Sequence, residues 1–350
     1  MKKQITFFSG TQTGGAELIT RTFYKLVNTK HFTKTLVLIG DTNNIDSNEV
    51  VFDELLHTKK YKYSLMLLYR FLKKNKPDYV FSSTLGISVP LLLVLFLVKG
   101  IKPIIRHSFM PNRYSKCSLT TLVIKLLYPR AYKLIAQTQE MKNLMIDFYN
   151  LNPKKISVLN NPIDTIAINE GIKDNNPYLS YTESFNLVTV GNVRFVKGHD
   201  ILIKAFKLFK DVYENSHLFI IGQFNPTAKY FIEMQNWIDE NNLNNYIHFT
   251  GFSNNPYKYI YNSSCFVLPS RSEGLPNVLL EAMYLKKPIV ATKCIPFIEQ
   301  VIEDGVNGYK VDVENEMQMA DAMIKAVDMD VKESNKYTPA TVNEICEIFK

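Results

Sequence analysis

The chain has 350 residues, of which 46% are hydrophobic, so it is long enough to form two α/β domains with buried cores. Its four cysteines lack the paired spacing of a disulfide framework or a zinc site, which favours a reducing cytoplasm (Cys117, Cys265, Cys294 and Cys346). The apolar run after the first residues is too short for a signal peptide. We therefore expect a cytoplasmic protein.

Charge is unevenly distributed along the chain. Residues 1–160 contain 24 Lys and Arg against 9 Asp and Glu, whereas residues 161–350 contain 17 against 24. A basic half beside an acidic half predicts that the first half contacts a polyanion or an anionic membrane. A compositional bias towards Lys and Asn is the alternative, but it does not explain why the two halves differ in sign.

The start of the chain predicts a Rossmann-like opening. A buried strand over residues 5–8 is followed by a glycine turn and a helix over residues 16–27. Gly14 and Gly15 in that turn would let the backbone approach a ligand closely at the carboxyl end of the strand. The spacing is neither the dinucleotide fingerprint nor a P-loop, and a plain tight turn is the alternative.

Strands and helices alternate through the rest of the first half. Strands are predicted over residues 36–39, 79–82, 104–105, 134–136 and 156–159, and helices over residues 62–74, 118–128 and 139–149. Segment 59–76 carries seven Lys and Arg with four aromatic residues, a composition typical of a membrane-surface helix or of a solvated amphipathic helix. Residues 85–98 are the most apolar run, but they are too few to span a bilayer and predict a core helix, one side of which could face lipid.

One histidine stands out by its position. His107 follows the strand predicted at residues 104–105, and the carboxyl ends of parallel strands are where ligand clefts open in α/β folds. Of the six histidines, His107 is the only one that we favour as a site residue over a structural or surface role.

The second half begins after a polar linker predicted over residues 160–184. A strand over residues 187–190 leads into loop 191–198, which is bounded by glycines and precedes a helix over residues 200–209. Arg194 and Lys197 in this loop form a candidate phosphate clamp ahead of a helix N-terminus. Two further strands, over residues 218–221 and 247–250, end at glycines.

The most informative stretch is residues 269–283. It follows a strand predicted at residues 265–268 and leads into a helix for which Asn277 is the predicted N-cap. Amide groups of the first helical turn would face an anion, and the carboxylates of Glu273 and Glu281 would accept hydrogen bonds from sugar hydroxyls. An ordinary connection with two solvated glutamates is the alternative. A strand at residues 289–291, a turn at 305–308 and helices at 320–327 and 342–349 complete the chain.

Taken in order, these motifs resemble a retaining glycosyltransferase of family 4 with the GT-B fold. The resemblance is carried by Gly14-Gly15-Ala16-Glu17, Asn161-Pro162 with Asp164, loop 191–198 with the following His-Asp, residues 270–277 with Glu281, and turn 305–308. It implies two Rossmann-like α/β domains with parallel sheets, facing each other across a cleft. Residues 1–165, with a terminal helix at about 336–350 crossing back, would form the acceptor and membrane-facing domain, and residues 166–335 the nucleotide-sugar donor domain.

The same resemblance implies a role for each site residue. Arg194 and Lys197 would bind the donor diphosphate, Glu273 the sugar hydroxyls and Glu281 the ribose. His107 would lie near the reacting sugar, with Gly14 and Gly15 closing on it. The remaining donor-binding positions would be Gly191, Gly222, Gly251, Phe252, Gly274, Leu275, Pro276 and Asn277. The chain departs from the family pattern at two positions. Many relatives have the arginine directly after the glycine that ends the strand, whereas here Asn192 stands there and the arginine follows two residues later, at Arg194. Ser108 follows His107 where the family usually has an acid.

The implied activity is sugar transfer with retention of configuration, from a nucleotide sugar with UDP as the default, to a saccharide or lipid-linked saccharide in cell-surface glycan synthesis. The protein would work at the cytoplasmic face of the membrane without a metal or other cofactor. Asp328 and Asp330 form an Asp-x-Asp sequence that we interpret as a solvated helix end. A nucleotide-sugar epimerase and a non-catalytic polyanion-binding protein are the alternatives. Nucleic acid is not an expected partner, because no recognised binding module is present.

Overall fold

The computed structural model describes residues 2–11, 14–41, 52–58, 64–111, 115–332 and 336–350. The chain separates into two compact units, one of Met1–Ile163 with Pro339–Lys350 and the other of Asp164–Thr338. Each unit contains one sheet whose paired strands are all parallel. The predicted α/β class with parallel sheets is therefore confirmed.

The first unit is built on a seven-stranded sheet. Its strands are β1 Lys3–Gly10, β2 Phe32–Gly40, β3 Glu54–His57, β4 Tyr79–Ser82, β5 Lys102–Arg106, β6 Lys133–Ala136 and β7 Ile156–Val158, in the order β3-β2-β1-β4-β5-β6-β7. Its helices are α1 Gly15–Leu26, α2 Leu65–Asn75, α3 Leu85–Val94, α4 Leu119–Leu127 and α5 Gln139–Tyr149. The central strands are buried along most of their length, which explains their nearly continuous apolar sequences.

The second unit is built on a six-stranded sheet. Its strands are β8 Phe185–Val190, β9 Ser216–Ile221, β10 Ile247–Gly251, β11 Cys265–Leu268, β12 Ile289–Thr292 and β13 Gly308–Val311, in the order β10-β9-β8-β11-β12-β13. Its helices are α6 Thr165–Gly171, α7 His199–Lys210, α8 Lys229–Glu240, α9 Tyr257–Asn262, α10 Asn277–Tyr284, α11 Pro296–Val301 and α12 Glu316–Val327. In this order β8 and β11 are neighbours, so the loops that follow them leave the sheet side by side.

The last helix, α13 Val342–Glu347, belongs to the first unit. A capping box between Thr341 and Glu344 begins it. Phe349, just beyond its end, is fully buried and its ring lies 5.8 Å from that of Phe7 in β1. The apolar burial of this terminal segment holds it on the sheet of the first unit.

Several predicted elements needed correction. The predicted linker over residues 160–184 contains α6, which is capped by the Asp164 side chain accepting from Ala167 N at 3.1 Å. Asn277 is the first helical residue of α10 rather than its cap, because Pro276 takes the extended cap position. In the described part of the chain, the helix predicted over residues 62–74 begins at Leu65 and ends at Asn75. Residues 59–63 of the basic and aromatic segment lie outside the described residues.

The apolar run at residues 85–98 forms a core helix for most of its length. α3 contains Pro90 and buries Ile87, Leu91 and Leu92. The helix ends at Val94, and Phe96 and Leu97 in the following turn are exposed. Among the helices that the structure describes, none is long and apolar enough to cross a membrane.

Candidate active site

Two loops of the second unit form the core of the candidate site. Loop 191–198 follows β8, and loop 269–276 follows β11, the neighbouring strand. The first loop is anchored by backbone hydrogen bonds from Gly191 N to Ile221 O at 2.8 Å and from Val193 N to Gln223 O at 2.8 Å. It closes with one 3-10 turn, Phe195–Lys197, immediately before α7.

Lys197 and Glu273 meet between these loops. Lys197 Nζ lies 2.7 Å from Glu273 Oε1, and the two side chains are only 27% and 10% exposed. Ser270 Oγ donates to the same carboxylate oxygen at 2.6 Å. The Lys197 side chain runs along Gly191, where an added Cβ atom would lie 3.7 Å from its Cδ and Cε atoms. Three predicted site residues, Gly191, Lys197 and Glu273, are thus brought together.

Arg271 fixes the two loops to each other, although it had no predicted role of its own. Its guanidinium donates two hydrogen bonds to Asp200, at 2.8 and 2.7 Å, and a third to Phe195 O at 2.6 Å. The same group stacks on the Phe195 ring, 3.9 Å from its centre, and pairs with Glu314. Its backbone N–H donates to Val196 O at 2.9 Å. No local sequence signal pairs residues this far apart.

Charge and hydrogen bonding stabilise this junction. Burial alone would raise the pKa of Asp200, but hydrogen bonds from Arg271 and Tyr230 outweigh it and lower that pKa. Tyr230 donates to Asp200 Oδ1 at 2.6 Å. His199, which precedes Asp200 in the sequence, is buried. Burial lowers the pKa of His199 to about 3, and the Lys197 charge acts in the same direction. Its imidazole is therefore neutral near pH 7.

Gly198 is the residue that lets the loops approach. It has a φ of 67°, in the left-handed region, and it directly precedes α7. A Cβ atom at this position would overlap the carbonyl oxygen of Pro269 in the second loop. Both the conformation and the close contact require glycine, because any side chain would strain the backbone or separate the loops.

The other predicted donor-binding residues take varied positions. Arg194 is exposed and forms no side-chain hydrogen bond or ion pair with the residues that the structure describes. Gly222 N donates to Gly251 O at 2.8 Å, and the following Phe252 is 43% exposed. Gly274 is half-buried, whereas Leu275 and Pro276 are buried at the start of α10. The exposure of Arg194 fits a residue available to a ligand but does not assign it one.

Glu281 lies on α10 in a carboxylate pair. Burial raises its pKa to about 7, and the Asp164 charge adds to the shift. Tyr257 belongs to the same cluster, since burial and then the charges of Glu281 and Asp164 raise its pKa. Two carboxyl groups and a phenol here offer acceptors and a donor suited to hydroxyl groups.

The glycine turn of the first unit begins α1. Gly14 is its extended N-cap residue and Gly15 its first helical residue. Glu17 is buried, and Thr84 Oγ1 donates to its Oε1 at 3.0 Å. Ser83 Oγ donates to Ala16 O at 2.6 Å. These contacts tie the start of α1 to the loop after β4.

His107 follows β5, as predicted, but its side chain is fully buried. Its Nδ1 lies 3.3 Å from the Tyr128 hydroxyl, and its ring centre lies 4.3 Å from that of Phe109. Burial lowers its pKa to about 3, so it is neutral near pH 7. Nε2 has no hydrogen-bond partner within the described ranges. Contact between His107 and a sugar remains a prediction.

No cluster of three or more His, Cys, Asp or Glu side chains that could hold a metal ion occurs among the described residues. The side chains that meet between the two loops supply an ammonium, a guanidinium, carboxylates and a hydroxyl group.

Comparison with known proteins defines the class. The family described as Glycosyl transferases group 1 matches residues 172–342, and Glycosyltransferase Family 4 matches residues 45–166. The chain belongs to glycosyltransferase family 4 and is a transferase enzyme.

Three individual proteins illustrate what the chain is similar to. An uncharacterized glycosyltransferase of Methanocaldococcus jannaschii is 28% identical over 278 residues, which are 71% of this chain and 65% of that protein. The N-acetylgalactosamine-N,N'-diacetylbacillosaminyl-diphospho-undecaprenol 4-alpha-N-acetylgalactosaminyltransferase of Campylobacter jejuni is 25% identical over 344 residues, 91% of this chain and 88% of that enzyme. The crystal structure of HepE from Anabaena with UDP and glucose superposes with a TM-score of 0.81 at 18% identity, covering 99% of this chain and 98% of HepE. This last similarity shows the shared fold, which is the predicted GT-B class.

Proposed function

We propose that this enzyme transfers a sugar from a UDP-linked donor to a saccharide or lipid-linked saccharide during cell-surface glycan synthesis, with retention of configuration. The observation that carries the proposal is the 2.7 Å pair of Lys197 and Glu273 between glycine loops at the carboxyl ends of adjacent strands. A cation and a carboxylate held together there match the two parts of a nucleotide sugar, its diphosphate and its hydroxyl-bearing sugar.

Lys197 would stabilise the leaving group. Breaking the bond from the sugar to the diphosphate places extra negative charge on the phosphate oxygens, and a preorganised cation stabilises that charge. Glu273 takes one of the three N–H donors of the ammonium, which leaves two for phosphate. Exposed Arg194 in the same loop is the second cation that would contact the diphosphate.

Glu273 would recognise the sugar. Its Oε1 atom already accepts hydrogen bonds from Lys197 and Ser270, whereas Oε2 has no partner among the residues that the structure describes. That oxygen is available to a sugar hydroxyl. Glu281 would accept hydrogen bonds from the ribose hydroxyls, which favours its ionised form in the complex.

The acceptor and the location are proposed from the relatives and from charge. The Campylobacter relative acts on a diphospho-undecaprenol saccharide, which is a lipid-linked acceptor. The excess of Lys and Arg in residues 1–160 would suit such an anionic acceptor and an anionic membrane surface. These two observations support the proposal that the enzyme works peripherally, at the cytoplasmic face of the membrane.

The test combines a ligand screen with one variant. Nucleotide sugars are screened by thermal shift, and those that bind are assayed for transfer to lipid-linked and soluble saccharides. We expect Lys197→Ala to lower kcat by about 10²–10³-fold in a protein that circular dichroism shows to be folded at the assay temperature. Lys204→Ala, which removes an exposed lysine of α7, is the matched control and should keep wild-type kcat.

Three results would contradict the proposal. Near-wild-type turnover by Lys197→Ala would remove the lysine from the mechanism. Conversion of the donor without any acceptor would favour the epimerase alternative. Absence of a thermal shift with every nucleotide sugar would favour a non-catalytic polyanion-binding protein.

A further inference from the structure

Helices α3 and α4 of the first unit expose a group of large apolar side chains, and we propose that this surface docks the protein on an anionic lipid membrane. The inference rests on the proposed function, in which the acceptor is lipid-linked. The six side chains are 41–77% exposed, and together they define the α3–α4 apolar surface: Leu93, Phe96, Leu97, Leu119, Leu122 and Leu126.

Helix α4 is apolar on both of its faces. One face buries Ile124 and Leu127 in the core of the first unit. The other exposes Leu119, Leu122 and Leu126, which follow one another at the i, i+3 and i+7 spacing of a single helical stripe. Three exposed leucines on one stripe differ from the singly scattered apolar residues of an ordinary surface and indicate an interaction site.

The end of α3 extends the same surface. α3 packs against α4, and the turn that follows α3 exposes Phe96 and Leu97. The Arg130 guanidinium, three residues beyond α4, lies 3.3 Å from the centre of the Phe96 ring. A cation stacked on an exposed aromatic ring joins the two apolar segments and suits the boundary between lipid headgroups and acyl chains.

The sequence segment that carries this surface has charges of one sign, whereas α5, which packs against α4, carries both signs (Glu140, Lys142 and Asp147). Residues 79–139, which include both helices, contain eight Lys and Arg and no Asp or Glu. Lys99, Lys102 and Lys116 are exposed, as is Arg130. Each cation near an anionic bilayer adds electrostatic attraction, and apolar side chains add burial at the interface.

The same charge distribution argues against a second copy of the chain as the occupant. A two-fold symmetric dimer through this surface would place its cationic rim against itself. With no carboxylate in residues 79–139, those cations would find partners in a second copy only outside that segment. Anionic lipid supplies negative charge across the whole surface.

Helix α2 adds both charge and apolar contact, because its first turn exposes Leu65 and Met66. It packs against α3 and presents Arg70, Lys73 and Lys74 to solvent. The apolar residues Leu68 and Phe71 of α2 are buried in the core. The described part of the basic segment that the sequence predicts as membrane-binding therefore adjoins the docking surface through α3.

Vesicle binding by the full chain tests the inference. Purified protein is sedimented with vesicles of phosphatidylcholine alone or mixed with phosphatidylglycerol, at low and high salt. The test variant combines Leu119→Gln, Leu122→Gln and Leu126→Gln. The control combines Ile166→Gln, Leu179→Gln and Met317→Gln, which changes side chains of similar exposure in the second unit. We expect the test variant to lose about tenfold or more of its partitioning onto anionic vesicles, and the control to match the wild type.

Other outcomes would overturn the inference. Equal binding of the wild type to both kinds of vesicle would remove the role of charge, and equal binding by the test and control variants would remove the role of the leucines. A wild-type dimer that becomes a monomer in the test variant, without vesicle binding, would assign the surface to a second copy.

A parallel thermal-shift measurement with UDP-sugars separates this inference from the proposed function. If the leucine variant keeps the donor shift and loses vesicle binding, the docking surface is supported independently of donor recognition. If the wild type shows leucine-dependent vesicle binding but no donor shift, the docking surface stands and the proposed donor fails.

Discussion

Replacement of Arg271 by methionine tests whether the candidate site depends on two loops held together by one guanidinium. Arg271→Met keeps the apolar stem of the side chain and removes its charge and donors. In the structure those donors bind Asp200 twice and the Phe195 carbonyl once, and the group also pairs with Glu314. The Arg271 side chain is only 12% exposed, so water would replace these bonds incompletely.

The expected loss of unfolding free energy depends on how deeply the partners of Arg271 are buried. Hydrogen bonds to charged groups contribute about 1.5–3 kcal/mol, and breaking a fully buried ion pair costs about 3–5 kcal/mol. Asp200 is 26% exposed and retains its bond from Tyr230, whereas Glu314 is 50% exposed and contributes little. We therefore expect the variant to lose about 2–4 kcal/mol of unfolding free energy. For a domain of this size that corresponds to a Tm lower by roughly 5–12 °C.

Calorimetry and UDP binding give the two readouts. Thermal unfolding measures the stability loss, and titration with UDP should show at least about tenfold weaker binding, because the loop that carries Lys197 is no longer anchored. Lys204→Met serves as the control, since Lys204 is exposed on α7. Combining Arg271→Met with Asp200→Asn should restore part of the stability, because the carboxylate that remains unpaired, Glu314, is half exposed to water. A Tm within about 1 °C of wild type together with unchanged UDP affinity would refute this account of the junction.

Two further predictions concern Glu281 and the glycines. The raised pKa of Glu281, about 7 against an ordinary value of 4.5, means that the folded state binds its proton more tightly than the unfolded chain. The resulting stability is fully present below about pH 4.5 and is lost as pH rises through 7, by at most about 3 kcal/mol. Glu281→Gln should remove this part of the pH dependence in urea unfolding, and an unchanged slope would contradict it. Gly198 and Gly251 both have positive φ, of 67° and 77°, but a Cβ atom would overlap the neighbouring loop only at Gly198 and would meet nothing within 4 Å at Gly251. Gly251→Ala should therefore cost about 1–2 kcal/mol of unfolding free energy and Gly198→Ala distinctly more; equal losses would show that the overlap is relieved.

Buried strands were the most predictable part of the fold. β4 and β11 have the predicted bounds, since short apolar runs between breakers carry enough local information to define a buried strand. α6 was missed because it has only seven residues and buries only Ile168, so it shows no apolar periodicity within a polar segment. β3 was missed because it is a four-residue edge strand whose pairing with β2 is not local.

The contacts within the candidate site were also unpredictable, because they join residues that are far apart in the sequence. Loop 191–198 and the glutamate of loop 269–276 can be recognised from their motifs, but their contact depends on β8 and β11 being neighbours in the sheet. Arg271 and Asp200 lack any local pattern that pairs them. The burial of His107 depends on Tyr128 and Tyr149, whose rings lie 5.8 and 5.5 Å from it and come from later helices.

Under the proposed function, the shared oxygen of Glu273 would link sugar recognition to leaving-group stabilisation. Lys197 and Ser270 both donate to Oε1, so the position of the carboxylate sets the position of the ammonium. A sugar whose hydroxyl reaches Oε2 would hold Glu273 in place and keep Lys197 aimed at the diphosphate. A sugar that cannot form this bond would leave the carboxylate free to shift and move the ammonium with it. Discrimination between sugars would then appear in the rate of bond cleavage as well as in binding, because the same contact contributes to both.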